Sequence, residues 1–261
     1  DDDGNGYVDD VHGWDFVEND NSPDDGHGHG THVAGTIAAA TNNGVGVAGV
    51  AFGAKIVPVR VLGKCGGSLS DIADAIVWAS GGTVSGIPAN ANPAEVINMS
   101  LGGGGSCSTT MQNAINGAVS RGTTVVVAAG NSNANVANFT PASCANVISV
   151  ASITSAGARS SFSNFGTTID ISGPGSAILS TLNSGTTTPG SASYASYNGT
   201  SMAAPHVAGV VALVQSVAPT ALTPAAVETL LKNTARALPG ACSGGCGAGI
   251  VNAAGAVSQT P

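Results

Sequence analysis

Short apolar runs rich in β-branched residues alternate with helical stretches along most of this chain. The four runs are KIVPVRVL at 55–62, EVINMSL at 95–101, TTVVVAAG at 123–130 and NVISVASI at 146–153. Continuous apolar runs of this length are typical of strands that are buried on both faces. The alternation therefore predicts an α/β fold with a mostly parallel central sheet and helices on both of its faces. Sites in such sheets form at the carboxyl ends of the strands, which here points to residues 100–103 and 130–131.

Several of the helical stretches carry recognisable start signals. Ser70 is a candidate N-cap for the stretch SLSDIADAIVWA, which places acidic residues in its first turn. Thr223 is the predicted N-cap of another helix, with Pro224 at its first position. A further short helix is predicted at 30–40, with His29 at its start.

Charge is concentrated at the beginning of the chain. Of the 15 acidic residues, ten fall within the first 25 positions, and no Lys or Arg precedes Lys55. The chain has 43% hydrophobic and only 8% charged residues, which excludes a disordered protein. It has no basic stripe, so a nucleic-acid partner is not expected. Its most apolar run, near 207–214, is about half as long as a membrane span requires, so no membrane partner is expected either.

Three polar residues stand where predicted elements begin or end, and two of them have two interpretations. Ser201 opens an apolar helix, where it is either a simple N-cap or a nucleophile. Asn131 follows a buried strand, where it either forms a turn or donates its amide N–H to an oxyanion. His29 follows a glycine-rich turn and has the position of a general base, whereas His32 is expected to be a hydrogen-bonded packing residue.

Taken together, four motifs resemble those of the subtilisin-type serine proteases, the subtilases. They occur in order: HGTHVAGTIAA at 29–39, NMSLGG at 98–103, AAGN at 128–131 and GTSMAAPHVAG at 199–209. The resemblance extends over most of the chain. It implies a single subtilisin-like peptidase domain over 1–261, with a three-layer fold and an acidic loop segment at 1–25.

The resemblance implies a role for each matching residue. Ser201 would be the nucleophile, His29 the general base, and Asn131 an oxyanion donor beside the backbone N–H of Ser201. Two segments would form the walls of the S1 pocket, and one of them would pair with the substrate as an added strand. The wall residues are Ser100, Leu101 and Gly102 on one side and Ala128, Ala129 and Gly130 on the other. Because the walls carry no acid, large uncharged P1 side chains are expected.

The family's aspartate motif, V-x-D-[ST]-G, is not found upstream of His29. Asp15 in GWDF resembles the strand that follows this motif in relatives. We therefore expect the chain to begin downstream of the catalytic aspartate. In a subtilisin, loss of that aspartate alone lowers kcat by a factor of about 3 × 10⁴. Its absence from the chain therefore bears on whether the chain is active, and does not bear on the resemblance to the family. The expected function is hydrolysis of peptide bonds by a Ser-His-Asp mechanism with an acyl-enzyme. The alternative is a catalytically impaired fragment or homologue that only binds peptides.

Two stretches are candidate calcium sites. The first, DDDGNGYVDD, matches the D-x-D-x-N-G loop pattern, but His12 stands where an EF-hand needs a glutamate. The second, TNNGVGVAG, resembles a calcium loop that follows the histidine helix in subtilisins. The candidate ligands are Asp1, Asp3, Asn5 and Asp9 in the first stretch and Thr41, Asn43, Val45 and Val47 in the second.

The chain has five cysteines, an odd number that leaves at least one unpaired within it. Disulfides would indicate an exported protein, and buried free thiols are the alternative. The resemblance to secreted bacterial subtilases favours the pairs Cys107–Cys144 and Cys242–Cys246, with Cys65 left over. The expected protein is thus a secreted, extracellular monomer that acts on proteins or peptides.

A zinc-dependent hydrolase is the main rival enzyme class. HGHGTH differs from the H-x-H-x-D-H zinc motif in having Thr31 where that motif has an aspartate. Zinc would need a further cluster of ligands, and the only other histidines are His12 and His206.

Overall fold

The computed structural model describes residues 13–261, which fold into strands and helices arranged in three layers. The strands are β1 (Trp14–Asp15), β2 (Val59–Arg60), β3 (Val96–Met99), β4 (Gly103–Gly104), β5 (Thr124–Ala128), β6 (Phe139–Thr140), β7 (Ile148–Ile153), β8 (Ile171–Pro174), β9 (Ile178–Asn183) and β10 (Ala192–Tyr197). The helices are α1 (His29–Ala38), α2 (Leu69–Ala79), α3 (Thr109–Ser120), α4 (Thr200–Val217), α5 (Pro224–Thr234) and α6 (Ala253–Ser258).

Four parallel strands form the main sheet, in the order β3-β5-β7-β8. Every residue of β5 and β7 is buried, as the continuous apolar runs predict. Met99 of β3 lies opposite Val127 of β5, so these two parallel strands end at the same edge of the sheet. The residues that follow Met99 and Ala128 are therefore neighbours, which is what the site requires.

Different helices cover the two faces of the sheet, because successive side chains of β5 point in opposite directions. Val125 and Val127 belong to a buried cluster that includes residues of α2 and α3. Val126 and Ala128 belong to a second cluster that includes residues of α4. Helices thus lie on both faces of a mostly parallel sheet, and the predicted α/β fold is confirmed.

The first two strands do not belong to the four-stranded sheet. β1 and β2 form a separate parallel pair, with Trp14 opposite Val59. Within residues 13–261 no strand pairing joins this pair to the four-stranded sheet. The run at 55–62 was thus correctly located but forms a strand only at Val59–Arg60.

A buried ion pair fixes β1 to β2. The side chain of Asp15 is 1% exposed and pairs with the guanidinium of Arg60. Its Oδ1 also accepts the backbone N–H groups of Val17 at 2.7 Å and Glu18 at 3.1 Å. Asp15 therefore has its hydrogen-bonding capacity committed to local structure.

Helix α4 is long and apolar enough, by length and composition alone, to cross a membrane. The prediction that no apolar stretch reaches this length was therefore wrong. It has 18 residues with a mean hydropathy of 1.3, and 61% of that stretch is buried inside the protein. Core helices of water-soluble proteins pass the same test, and α4 packs against β3, β5, β7 and β8. The helix therefore acts as a core element of this domain.

The observed helix starts correct one prediction. Ser68, and not Ser70, is the N-cap of α2, and its Oγ accepts the N–H of Asp71 at 3.0 Å. An N-cap side chain bonds to the N–H two or three residues ahead, and Ser70 already lies inside the helix. Thr223 caps α5 as predicted.

Two disulfides cross-link the chain. They join Cys107 to Cys144 and Cys242 to Cys246, with Cα–Cα distances of 5.2 and 6.3 Å. These are the pairs that the family resemblance implies. Cys65 is exposed and has no disulfide partner among the described residues.

Candidate active site

Two serines tie the end of β3 to the start of α4. Ser100 Oγ donates a hydrogen bond to the carbonyl oxygen of Ser201 at 2.8 Å, and Ser201 Oγ donates to the carbonyl oxygen of Ser100 at 3.3 Å. Ser201 is the second residue of α4 and is partly exposed. Its hydroxyl thus lies at the positive end of a helix and can be reached from solvent.

The side chain of Asn131 is oriented by Thr200. Asn131 Oδ1 accepts the backbone N–H of Thr200 at 2.8 Å and its hydroxyl at 2.9 Å. A backbone N–H can only donate, so the atom that it meets must be the amide oxygen. The amide nitrogen of Asn131 is consequently turned away from Thr200 and is available as a donor. Thr200 Oγ1 also accepts the N–H of Gly130 at 3.0 Å, which completes a small network.

Two nitrogen atoms that can donate hydrogen bonds border one small space beside Ser201. A methyl group placed on Gly199 would lie 3.6 Å from Asn131 Nδ2 and 3.6 Å from the backbone nitrogen of Ser201. A small negatively charged oxygen near this point could accept from both groups. The arrangement has the chemistry of an oxyanion-binding site.

His29 begins α1 on a turn that only glycine can form easily. Gly28 has φ +95°, and a Cβ at this position would lie 2.8 Å from the carbonyl oxygen of Asn183 in the β9–β10 hairpin. Asp25 stabilises the same turn, because its carboxylate accepts the N–H groups of His27, Gly28 and Thr31. The hairpin and Asp25 together fix the backbone from which the imidazole extends.

The charges around His29 set its protonation. Burial lowers the pKa of the His29 imidazole, the positive field of His27 lowers it further, and the carboxylate of Asp25 opposes both. Burial also disfavours ionisation of Asp25, but hydrogen bonds from Thr31, Gly28 and His27 outweigh it and lower the pKa of that carboxyl. Burial and His27 thus favour the neutral form of His29, which is the form that a general base needs.

The structure brings α1 against α4 but does not hydrogen-bond His29 to Ser201. Within residues 13–261 the imidazole of His29 has no hydrogen-bond partner, while the Ser201 hydroxyl donates to Ser100. Catalytic hydrogen bonds are often long or absent without substrate, and rotation about χ1 would redirect the hydroxyl. The predicted contact between base and nucleophile stays a prediction.

Two of the other three described histidines, His32 and His206, are hydrogen-bonded to backbone carbonyls. His32 is fully buried, its Nε2 donates to Ala195 at 2.9 Å, and its ring stacks on Tyr197 at 4.5 Å, as expected for a packing residue. His206 Nδ1 donates to Met202 at 2.8 Å. No group of three or more His, Cys, Asp or Glu residues in the described part of the chain could hold a metal ion. The donor set that zinc needs is thus not assembled there.

The two predicted S1 walls differ in exposure. Gly102 is exposed and Leu101 is partly so, and β4 follows them directly. Ala128 and Ala129 are 5% and 0% exposed, so they face the core, and only Gly130 of this wall reaches the surface in part. The second wall could thus contribute backbone rather than side chains to a groove.

Only one of the two predicted calcium stretches lies among the described residues. Asp1, Asp3, Asn5 and Asp9 lie outside the described residues. In the second stretch Asn43 Oδ1 accepts the N–H of Val45 at 3.1 Å. Together with the carbonyls of Thr41, Val45 and Val47 it would supply four neutral oxygens and no carboxylate. Calcium takes six to eight oxygen ligands, so this loop fits the chemistry of calcium but does not complete its coordination.

Fold and motifs together define a subtilisin-like α/β protein. The chain belongs to the subtilase family, whose family model matches residues 1–249. It is 87% identical over 230 residues to an extracellular protease of Xanthomonas campestris pv. campestris, and the alignment covers 88% of this chain and 40% of that protein. It is 52% identical over 233 residues to an extracellular basic protease of Dichelobacter nodosus, with 88% and 39% covered.

A solved structure supports the same fold. A protease from Pseudoalteromonas arctica PAMC 21717 superposes with a TM-score of 0.87 at 60% sequence identity, covering 89% of this chain and 71% of that one. The resemblance read from the motifs is thereby confirmed. The chain spans about 40% of the length of the two relatives named above.

Three residues of the site were not singled out from the sequence. Asp25 is covered only by the acidic segment at 1–25, Thr200 only by the motif at 199–209, and Asn164, which hydrogen-bonds the backbone of residues 129–134, by neither. The tendency of Asp to accept the backbone N–H two residues ahead could have pointed to Asp25. Nothing local to Asn164 indicates its role, because its partners are distant in sequence.

Proposed function

We propose that this chain is the peptidase domain of an extracellular serine endopeptidase. The observation that carries the proposal is that two potential donors, Asn131 Nδ2 and the backbone nitrogen of Ser201, border one small space beside a partly exposed serine. Peptide hydrolysis by serine passes through a tetrahedral oxyanion, which such donors stabilise. Two relatives named as extracellular proteases and the two disulfides support the activity and the location.

In the proposed mechanism Ser201 Oγ attacks the peptide carbonyl while His29 accepts the hydroxyl proton. The oxyanion that forms is bound by Asn131 and the N–H of Ser201. His29 then gives the proton to the leaving amine as the C–N bond breaks, which leaves an ester on Ser201. Water attacks that ester with His29 again as base, and His29 returns the proton to Ser201 Oγ as the acyl C–O bond breaks and the carboxylic acid leaves.

We propose that the aspartate of the mechanism comes from sequence N-terminal to Asp1, and that 1–261 belong to one peptidase domain. Asp15 is committed to Arg60, and Asp25 to the turn before α1. The gene sequence upstream of Asp1 tests this directly, because a V-x-D-[ST]-G motif is expected there.

Serine-directed labelling distinguishes the candidate functions. The protein is expressed from its complete gene and treated with a fluorophosphonate. We expect one equivalent of label on the natural protein, none on Ser201→Ala, and full labelling of Ser216→Ala, an exposed serine on the same helix. A zinc enzyme would resist the reagent and lose activity to a chelator. A peptide-binding protein would bind peptide without labelling or turnover, which would refute the proposal.

We further propose that the enzyme acts as a monomer on proteins or peptides and holds a structural calcium ion at Thr41, Asn43, Val45 and Val47, with the remaining ligands supplied from elsewhere. Calcium bound there would stabilise the loop after α1, and no catalytic step depends on it. Removal of calcium is expected to lower the melting temperature, and Asn43→Ala is expected to reduce that effect. Light scattering tests the monomer.

A further inference from the structure

We infer that Asn164 is a positioning residue, which holds the backbone of Asn131 where its amide can reach the oxyanion. The inference rests on the proposed function. Asn164 lies between β7 and β8, remote in sequence from the other site residues. Asn164 is fully buried, and buried polar groups are satisfied by other groups of the protein. Its side chain makes three hydrogen bonds, all to backbone groups.

Every hydrogen bond of the Asn164 side chain goes to the segment 129–134. Its Nδ2 donates to the carbonyl oxygen of Ala129 at 2.8 Å. Its Oδ1 accepts the N–H of Ser132 at 2.9 Å and the N–H of Ala134 at 3.1 Å. One side chain thus binds the backbone on both sides of Asn131.

The backbone and packing of Asn164 act on the same segment. Its N–H donates to the carbonyl oxygen of Gly130 at 2.9 Å. Gly130 has φ +102°, and the carboxamide of Asn164 occupies the position where a Cβ of residue 130 would stand. The segment therefore follows the surface of Asn164 closely and has little room to shift.

Thr200 and Asn164 hold different parts of Asn131. Thr200 orients the amide group of Asn131, whereas Asn164 fixes the backbone from which that side chain extends. A displacement of about 1 Å in a catalytic group can cost about 10²-fold in rate. Shortening Asn164 would free the segment and move the donor, even though Asn164 touches neither substrate nor reacting atoms.

A double-mutant cycle tests this role in the protein expressed from its complete gene. Asn164→Ala, Asn131→Ala and the double variant are assayed on a peptide substrate well below their melting temperatures. We expect Asn164→Ala to lower kcat by about 10- to 100-fold with KM changed less than about threefold. In the Asn131→Ala background the same substitution should lower kcat by less than about twofold, because the donor it positions is gone.

Ser172→Ala is the matched control, because Ser172 is also fully buried and its hydroxyl donates to the carbonyl of Cys246, away from the site. It should lower stability without changing kcat. If Asn164→Ala does not fold, Asn164→Asp replaces it in the same cycle. Aspartate keeps the size of the side chain and both accepted hydrogen bonds, so a smaller loss of kcat is expected. An equal loss of kcat in both backgrounds, or a kcat unchanged in the natural background, overturns the inference alone. A natural protein that hydrolyses no peptide overturns the proposed function and the inference with it.

Discussion

The carboxylate of Asp25 accepts two hydrogen bonds from Thr31, one from its backbone N–H and one from its hydroxyl, both at 2.7 Å. This contact spans the first turn of α1 and places a negative charge beside the turn that carries His29. His27, in the same turn, contributes a positive charge when it is protonated. The two residues act on the imidazole in opposite directions.

Substitution of Asp25 and substitution of His27 should shift the acid limb of the pH–activity profile in opposite directions. His29 must be neutral to act as a base, so kcat/KM falls as the pH drops through its pKa, which burial and His27 lower and Asp25 raises. Asp25→Asn removes the charge that raises this pKa, so the limb should move to lower pH. His27→Asn removes a charge that lowers it, so the limb should move to higher pH. Profiles measured with an uncharged peptide substrate check this, and shifts of the same sign would contradict it.

Replacement of Asn131 by aspartate should separate its two functions. Asn131→Asp keeps an oxygen for the two hydrogen bonds from Thr200 but loses the donor that faces the oxyanion. Loss of one such donor costs about 10²- to 10³-fold in kcat, a figure that comes from a subtilisin itself. We expect a loss of at least this size with KM little changed and the melting temperature nearly preserved. Steady-state kinetics within about tenfold of the natural enzyme would rule out the donor role.

Removal of the two disulfides should have unequal effects on stability. Cys107–Cys144 closes a loop with a sequence separation of 37, and Cys242–Cys246 one with a separation of 4. Loop-closure entropy predicts a loss of about 4 kcal/mol for the first and about 2 kcal/mol for the second when both cysteines of a pair become alanine. Guanidinium unfolding of the serine-inhibited protein, which cannot digest itself, measures both values. Equal losses would mean that native-state contacts and not loop length decide the effect.

Arg60→Met should destabilise the β1–β2 pair strongly. It leaves the carboxylate of Asp15, which is 1% exposed, without its counter-ion, and breaking a buried pair in this way costs about 3–5 kcal/mol. Glu18 also lies 3.2 Å from Arg60 but is 64% exposed. Glu18→Gln is therefore the matched control, with an expected change within about 0.5 kcal/mol. Similar effects of the two substitutions on urea unfolding would contradict the distinction.

Cleavage specificity should favour large uncharged P1 side chains. None of the six predicted wall residues carries a charge, and Ala128 and Ala129 are too buried to narrow a groove with their side chains. A peptide library digested to low conversion gives the P1 profile. A profile dominated by Arg or Lys would show that a charged group outside these walls sets the specificity.

The sequence predicted the elements whose cause is local. β5 and β7 were recognisable because a strand buried on both faces must be apolar at every position, and the start of α5 because Thr223 and Pro224 satisfy the first turn of a helix by themselves. The placement of Ser201 and Asn131 at element boundaries followed from the same patterns. The N-cap of α2 was misassigned because two serines of the same preference stand two residues apart, and only hydrogen bonding distinguishes them.

By itself, then, the sequence determined the α/β class, the family and the order of the candidate site residues along the chain, because periodicity and short motifs depend on residues that are close together in sequence. Only the tertiary structure decided that Asn131 is oriented by Thr200 and held by Asn164, that Asp15 is committed to Arg60, and that the Ser201 hydroxyl donates to Ser100. Each of these contacts joins residues distant in the chain. Their geometry depends on how the helices and strands pack, which no local pattern specifies.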